Sequence, residues 1–459
     1  MKEYLIMSRT VCSTIAIALP SIMSTCILFS LTVLYFTNGL KLSADKAYNL
    51  NTAFFSLFYC LPLFSGLISD KFLGAKKTLV LGLLFSILGF FMFSSGHWLF
   101  FSLTLMALGG AFFLPNIWKL LNSNVYNSAR DRLNSFIVSY SALAVAGLIA
   151  TSGAGYIADK YGYEFTFLIG GVLNLLSLCI FLLRSHIYKS EVNVAHNFKG
   201  GIIAIIFGFI VTYFLMNSPK LSQVIIIAIA IGLLFYFYTF YKMAISDKQR
   251  KSILQYFVCC MYSVVFWTVA TLAQTSVTIF TQNNLDRYIF GFEFPSGSVI
   301  AFWYGSMILA IFVISVFIRN KDIIKNLVLG LITTTLACMT IFSAVYIRGI
   351  YNHVPFISIV IFYLFLGFGE VFVQPTGNAA AGEFMPENRR GIALGIWQFS
   401  GGLGVALSGY LANLTVNDNL SRLSDSNLIY SKIYMEIGVT CLALTLILYV
   451  VSRNLQAKI

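Results

Sequence analysis

The sequence predicts an all-α integral membrane protein that crosses the bilayer fourteen times. Three observations carry that prediction. The first is composition, 58% hydrophobic and 10% charged, where soluble domains carry about 25% charged residues. The second is a series of apolar runs of about 20 residues, each long enough as a helix to span a bilayer. The third is the placement of Lys and Arg: 22 of the 30 fall at the chain ends and on alternate connections. The positive-inside rule then puts both termini in the cytoplasm. That asymmetry, with anionic lipid at the inner surface, accounts for the net charge of +13 and leaves no argument for nucleic acid.

In order, the runs lie near 12–36, 50–70, 78–96, 98–120, 135–157, 165–183, 200–217, 222–243, 256–280, 298–318, 325–346, 354–377, 391–413 and 433–452. The first is too long for a cleaved signal and is followed at once by another span. It contains Pro20, which membrane helices tolerate where neighbours satisfy the freed carbonyl. The second ends in a motif running from Ser65-Gly66 through Ile-Ser-Asp70 to Gly74 and Lys76-Lys77. There Gly66 permits a close helix contact, Asp70 can meet a neighbouring helix end or its basic residues, Gly74 makes the turn, and Lys76 and Lys77 face the cytoplasm. The runs at 200–217 and 222–243 carry charge only at their ends. Gly401, Gly402, Gly404, Ser408 and Gly409 give the thirteenth run a small-residue face for tight packing, and 414–431 reads as a polar loop.

All eight cysteines fall in predicted spans and read as small buried hydrophobes, with no metal spacing or disulfide framework. The four histidines sit in loops or at span ends. No Ser/His/Asp set, metal cluster or phosphate loop is present, so the chain is not expected to be an enzyme and no cofactor is called for.

One acid stands apart. Glu370 lies near the middle of the run 359–375, and no other predicted span carries an acid so far from its ends. A charge at membrane depth costs at least ~2.5 kcal/mol, and such groups line polar cavities or pathways. Glu370 is therefore the candidate for binding a proton or the cationic end of a substrate. The alternative for such a group is a carboxyl hydrogen-bonded inside a helix bundle.

The motif at 65–77 resembles the loop between the second and third helices of the major facilitator superfamily, and its spacing resembles the proton-dependent oligopeptide transporter (POT) branch. Further blocks are similar to that branch: Gly109-Gly-Ala-Phe-Phe-Leu-Pro-Asn116; Phe136-Ile-Val-Ser-Tyr140; Phe266-Trp267 with Gln274; and Glu370 with Pro375, followed by Pro386-Glu-Asn-Arg389-Arg390 through Trp397. The resemblance spans both halves. It implies a major facilitator fold of two six-helix bundles, 1–190 and 251–459, with an inserted two-helix hairpin in 191–250. It further implies substrate binding by Glu370, Tyr59, Asn116, Tyr140, Trp267, Gln274 and Trp397, proton coupling through Glu370, and gating by Gly66, Asp70, Gly74, Lys76, Lys77, Arg389 and Arg390.

The chain departs from the family pattern where that pattern is most charged. The first-helix ExxER run falls at Ala18, Ser21 and Ile22, the fourth-helix lysine at Leu114, and the fifth-helix asparagine at Ala144. The end of the site that would receive a substrate carboxylate is thus expected to be apolar, and a carboxylate desolvated there without a partner costs several kcal/mol. The expected function is secondary active transport of a peptide or peptide-like small molecule by alternating access, coupled to protons. A siderophore or other natural-product transporter, for uptake or export, and an uncoupled facilitator are the alternatives; a degenerate transporter serving as a receptor is a further one. The expected surroundings are a bacterial inner membrane and its lipid, with the protein acting as a monomer.

Overall fold

The structure, a computed structural model, describes residues 9–124, 129–188, 198–244, 246–317, 322–386, 390–416 and 422–456. Among them, fourteen helices are long and apolar enough to cross a membrane. They are α1 (Arg9–Gly39), α2 (Ala44–Leu73), α3 (Ala75–Ser94), α4 (Leu99–Leu121), α5 (Tyr140–Tyr161), α6 (Tyr163–Ile187) and α7 (Phe198–Asn217). There follow α8 (Pro219–Met243), α9 (Asp247–Asn284), α10 (Ser296–Ile314), α11 (Ile323–Arg348), α12 (Phe356–Phe384), α13 (Ile392–Asn413) and α14 (Leu423–Leu455). Helices are what a chain this apolar must form, because lipid offers no partner for an open backbone N–H or C=O.

The irregularities are as informative as the regular turns. Leu61 interrupts α2, where Pro62 starts a new stretch of helix without needing an N–H. Gly74 (φ 78°) then turns the chain into α3. In α9 the α-helix stops at Ala270, a 3-10 turn covers Thr271–Gln274, and helix resumes at Ser276.

The chain divides into two compact units. One comprises Met1–Tyr35 and Leu57–Ser218 and so holds α3–α7, nearly all of α1 and the second part of α2. The other comprises Phe36–Ser56 and Pro219–Ile459, holding α8–α14 with the first part of α2. The two hairpin helices separate accordingly. Helix α7 packs Gly201 on Phe72 and Leu73 and Gly208 on the Phe64 ring, while α8 packs Phe237 edge-on to Phe257, ring centroids 5.3 Å apart.

Three sequence expectations change. The last helix begins at Leu423, ten residues before the predicted run, and takes in residues read as a polar loop. Neighbours satisfy those polar side chains: Asn427 donates to the carbonyls of Ile350 and Asn352, and Asn284 donates to Ser426. Glu436 consequently lies well inside a helix, on its exposed side. Cys179 is exposed and Cys12 and Cys60 are half-buried, so only five of the eight cysteines are fully buried. The connection after α9 forms short strands that periodicity did not signal. Strand β1 (Leu285–Asp286) pairs with the later Val354–Pro355, and β2 (Tyr288–Ile289) pairs with β3 (Phe292–Glu293) about a turn at Phe290 and Gly291.

Candidate functional site

Glu370 rides on α12, and glycines bring that helix close to its neighbours. A Cβ on Gly367 would stand 2.8 Å from the Trp303 carbonyl, and one on Gly369 would stand 3.0 Å from Phe266 and from Thr333 Oγ1. Helices α10, α9 and α11 therefore approach the turn that carries Glu370, which is itself half-buried. Pro375 cannot donate to the carbonyl of Val371, so the helix loses one internal bond just beyond the acid.

The same unit gathers Trp267, Gln274 and Trp397. Trp397 is 1% exposed and its ring occupies the space over Gly377 of α12. Trp267 of α9 sits against Gly401 and Gly404 of α13, as the small-residue face there implied, and packs edge-on to Phe266. Gln274, 4% exposed, closes the 3-10 turn of α9, where Asn51 Nδ2 donates to its main-chain carbonyl at 3.3 Å. Tyr363 of α12 donates to the carbonyl of Ala273 at 3.3 Å. These contacts fix α9, α12 and α13 around the Glu370 turn.

The other unit holds Tyr59, Asn116 and Tyr140. Tyr59 is half-buried and stacks on Phe29, centroids 6.5 Å apart. Asn116 is 2% exposed and donates to Ser65 Oγ and the Phe112 carbonyl. Tyr140 is half-buried on α5. The positions where the family pattern is charged are apolar or internally bonded here. A small recess is lined by Ile15, Ala18, Leu19, Ile22, Trp118 and Leu143. Leu114 and Ile22 pack on a cluster containing Ala18, Leu79 and Phe113. Ser21 donates to Asn174 on α6, 2.9 Å, and so ties helices together.

The motif at 65–77 is a local charge arrangement. Asp70 pairs with Lys119 at 2.8 Å, and Lys119 also donates to Ser69. Lys77 is exposed, whereas Lys76 is half-buried and donates to the carbonyls of Ser185 and Tyr188, 3.1 and 2.6 Å. Lys76 thus caps the end of α6. The Tyr188 hydroxyl is paired with Thr14 at 2.9 Å, and burial pushes its phenol above the usual tyrosine range. Among the described residues, none comes within 4 Å of where a Cβ would stand on Gly66. Arg389 lies outside the described residues, and Arg390 begins a helix with its side chain outside them.

Sequence reasoning missed Asn51, Thr52 and Gln223. Gln223 of α8 donates to Thr52 at 3.0 Å, and Asn413 donates to Asn49 at 2.8 Å. The signal was Asn49-Leu-Asn51-Thr52, four residues with three polar side chains at the start of an apolar run.

The Major Facilitator Superfamily model matches residues 13–409. The "Dipeptide and tripeptide permease B" of Salmonella typhimurium is 26% identical over 446 residues, covering 93% of this chain and 91% of that one. The protein of the same name from Xenorhabdus bovienii is 27% identical over 444 residues, covering 90% and 89%. A bacterial homologue of human drug peptide transporters superposes with a TM-score of 0.84 at 18% identity, covering 98% of both chains. A POT family transporter in complex with 5-aminolevulinic acid gives 0.82 at 18%, covering 97% and 96%. The chain, a multi-pass membrane transporter and not an enzyme, belongs to the Major Facilitator Superfamily.

Proposed function

We propose that this protein carries a peptide or peptide-like small molecule across the membrane by alternating access, driven by protons. The observation that carries the reading is Glu370, a half-buried carboxyl in the middle of an apolar helix, where an acid is costly unless it is used. In this reading Glu370 takes the substrate's ammonium group and the coupling proton in turn. Tyr59 and Tyr140, half-buried, and Glu370 touch the substrate, while the deeper Asn116, Trp267, Gln274 and Trp397 hold the walls. Asp70, Gly74, Lys76, Lys77, Arg389 and Arg390 belong to the gate, with Gly66 in the same motif. The permease names of the relatives favour peptide over the natural-product alternatives.

The apolar recess at Ala18, Leu19 and Ile22 suits a substrate whose far end is neutral or held by uncharged donors. The working arrangement is 1–190 and 251–459 as transport bundles with the hairpin in 191–250, a monomer in a bacterial inner membrane. The distribution of Lys and Arg supports a cytoplasmic location for both termini.

The test is uptake of labelled di- and tripeptides and their amidated forms by proteoliposomes, with and without an inward pH gradient. Glu370→Gln should abolish gradient-driven accumulation while leaving exchange across the membrane measurable. Unchanged accumulation and unchanged pH dependence would sink the proposal.

A further inference from the structure

We propose a sodium site at the break in α9, formed by the side-chain oxygens of Asn51 and Gln274. Gln274 is also a wall residue in the substrate reading above, but the cation site rests on its unmet oxygen and is tested without substrate.

Asn51 is fully buried and Gln274 is 4% exposed, yet among the described residues Asn51 Oδ1 and Gln274 Oε1 have no hydrogen-bond partner. Buried amide oxygens left without a donor are rare and call for a bound water or ion. The orientation of Asn51 is fixed by chemistry. Its Nδ2 donates to the Gln274 carbonyl at 3.3 Å, and turning the amide over would set two acceptors against each other. The unmet group of Asn51 is therefore an acceptor, on a side chain bonded to the main chain of Gln274, whose own side-chain oxygen is the second unmet atom.

The backbone adds to this. The α-helical part of α9 ends at Ala270, and Gln274 closes the 3-10 turn that follows. The end of that helix carries the negative pole of its dipole, equivalent to about half a charge. Unwound carbonyls and helix C-termini inside a membrane are where transporters coordinate small cations. Oxygen-only, uncharged ligands suit a hard monovalent cation rather than a transition metal. Thr271 and Thr275, 1% and 0% exposed, place two more hydroxyls in the same turn.

Asn51 and Gln274 are 223 positions apart in sequence. A cation between them holds the first part of α2 to α9, and it can bind only while that segment is docked there. Binding and docking are then linked, each strengthening the other.

The experiment uses the purified full chain without substrate. Melting temperature and bound radiolabelled sodium are measured across a sodium titration, with choline replacing sodium at constant ionic strength and pH. The expected result is a saturable rise in melting temperature in sodium, absent in potassium and choline, with about one ion bound per chain. Gln274→Leu and Asn51→Leu should melt at the same temperature in sodium as in choline. Where a variant does not fold, the wild-type titration alone decides. Identical melting in sodium and choline with no saturable binding would overturn the site and leave a buried water as its occupant. Loss of peptide transport would not bear on this result, because no substrate is present.

Discussion

Lys119 lies 2.8 Å from Asp70 and 3.2 Å from Ser69 Oγ, so the one lysine near the Pro115-Asn116 turn is committed to the 65–77 motif. It does not stand in for the lysine that the family pattern places at Leu114. Its charge is held in a pair whose side chains are 38% and 65% exposed.

Because that pair is exposed, its loss should cost little stability, about 0.2–1 kcal/mol. Asp70→Asn should therefore leave the melting temperature nearly unchanged while lowering the rate of peptide uptake. Exchanging the two residues, Asp70→Lys with Lys119→Asp, should restore part of the rate if the pair acts as a latch. Uptake kinetics beside a melting curve separate the two effects.

Gly377 leaves room for the Trp397 ring, and a methyl group there would overlap it. Gly377→Ala should destabilise by about 1–3 kcal/mol, the usual cost of overpacking. In a Trp397→Phe background the same change should cost much less, and that coupling in a double-mutant cycle is the check.

Gln223 connects α8 to α2 through Thr52 by one buried bond of 3.0 Å. Removing it by Gln223→Leu should cost about 0.6 kcal/mol, the mean for such bonds between membrane helices. The expected reading is a small drop in melting temperature that Thr52→Val does not enlarge.

Tyr188 holds its proton more tightly in the folded protein, because burial disfavours the phenolate. Its contribution is whole below the ordinary tyrosine value of 10.0 and is lost as pH rises through the higher folded value. Tyr188→Phe should therefore show a shallower loss of stability above that pH than the wild type. Melting curves from neutral to strongly alkaline pH measure the slope.

The fourteen spans were legible because each depends only on a run of apolar residues long enough for the bilayer. Glu370 was legible for the same reason, since an acid inside such a run is conspicuous without any partner. The glycine-rich face at 401–409 announced tight packing, and the structure supplies Trp267, Thr52 and Gln223 as what packs on it. The start of α14 was not legible, because Asn427 and Ser426 read as loop until their partners at 284, 350 and 352 are in place.

By itself, then, the sequence determined the class of protein, the number of crossings and the acid that lies inside one of them. Those follow from transfer of side chains and backbone out of water, a property each segment has alone. Tertiary structure decided which polar groups meet: Lys119 with Asp70, Lys76 with the end of α6, Asn51 with Gln274. It also decided that Trp397 lies over a glycine. Such pairings join residues tens to hundreds of positions apart, and inside a membrane a polar side chain takes its meaning from whichever partner the packing brings to it.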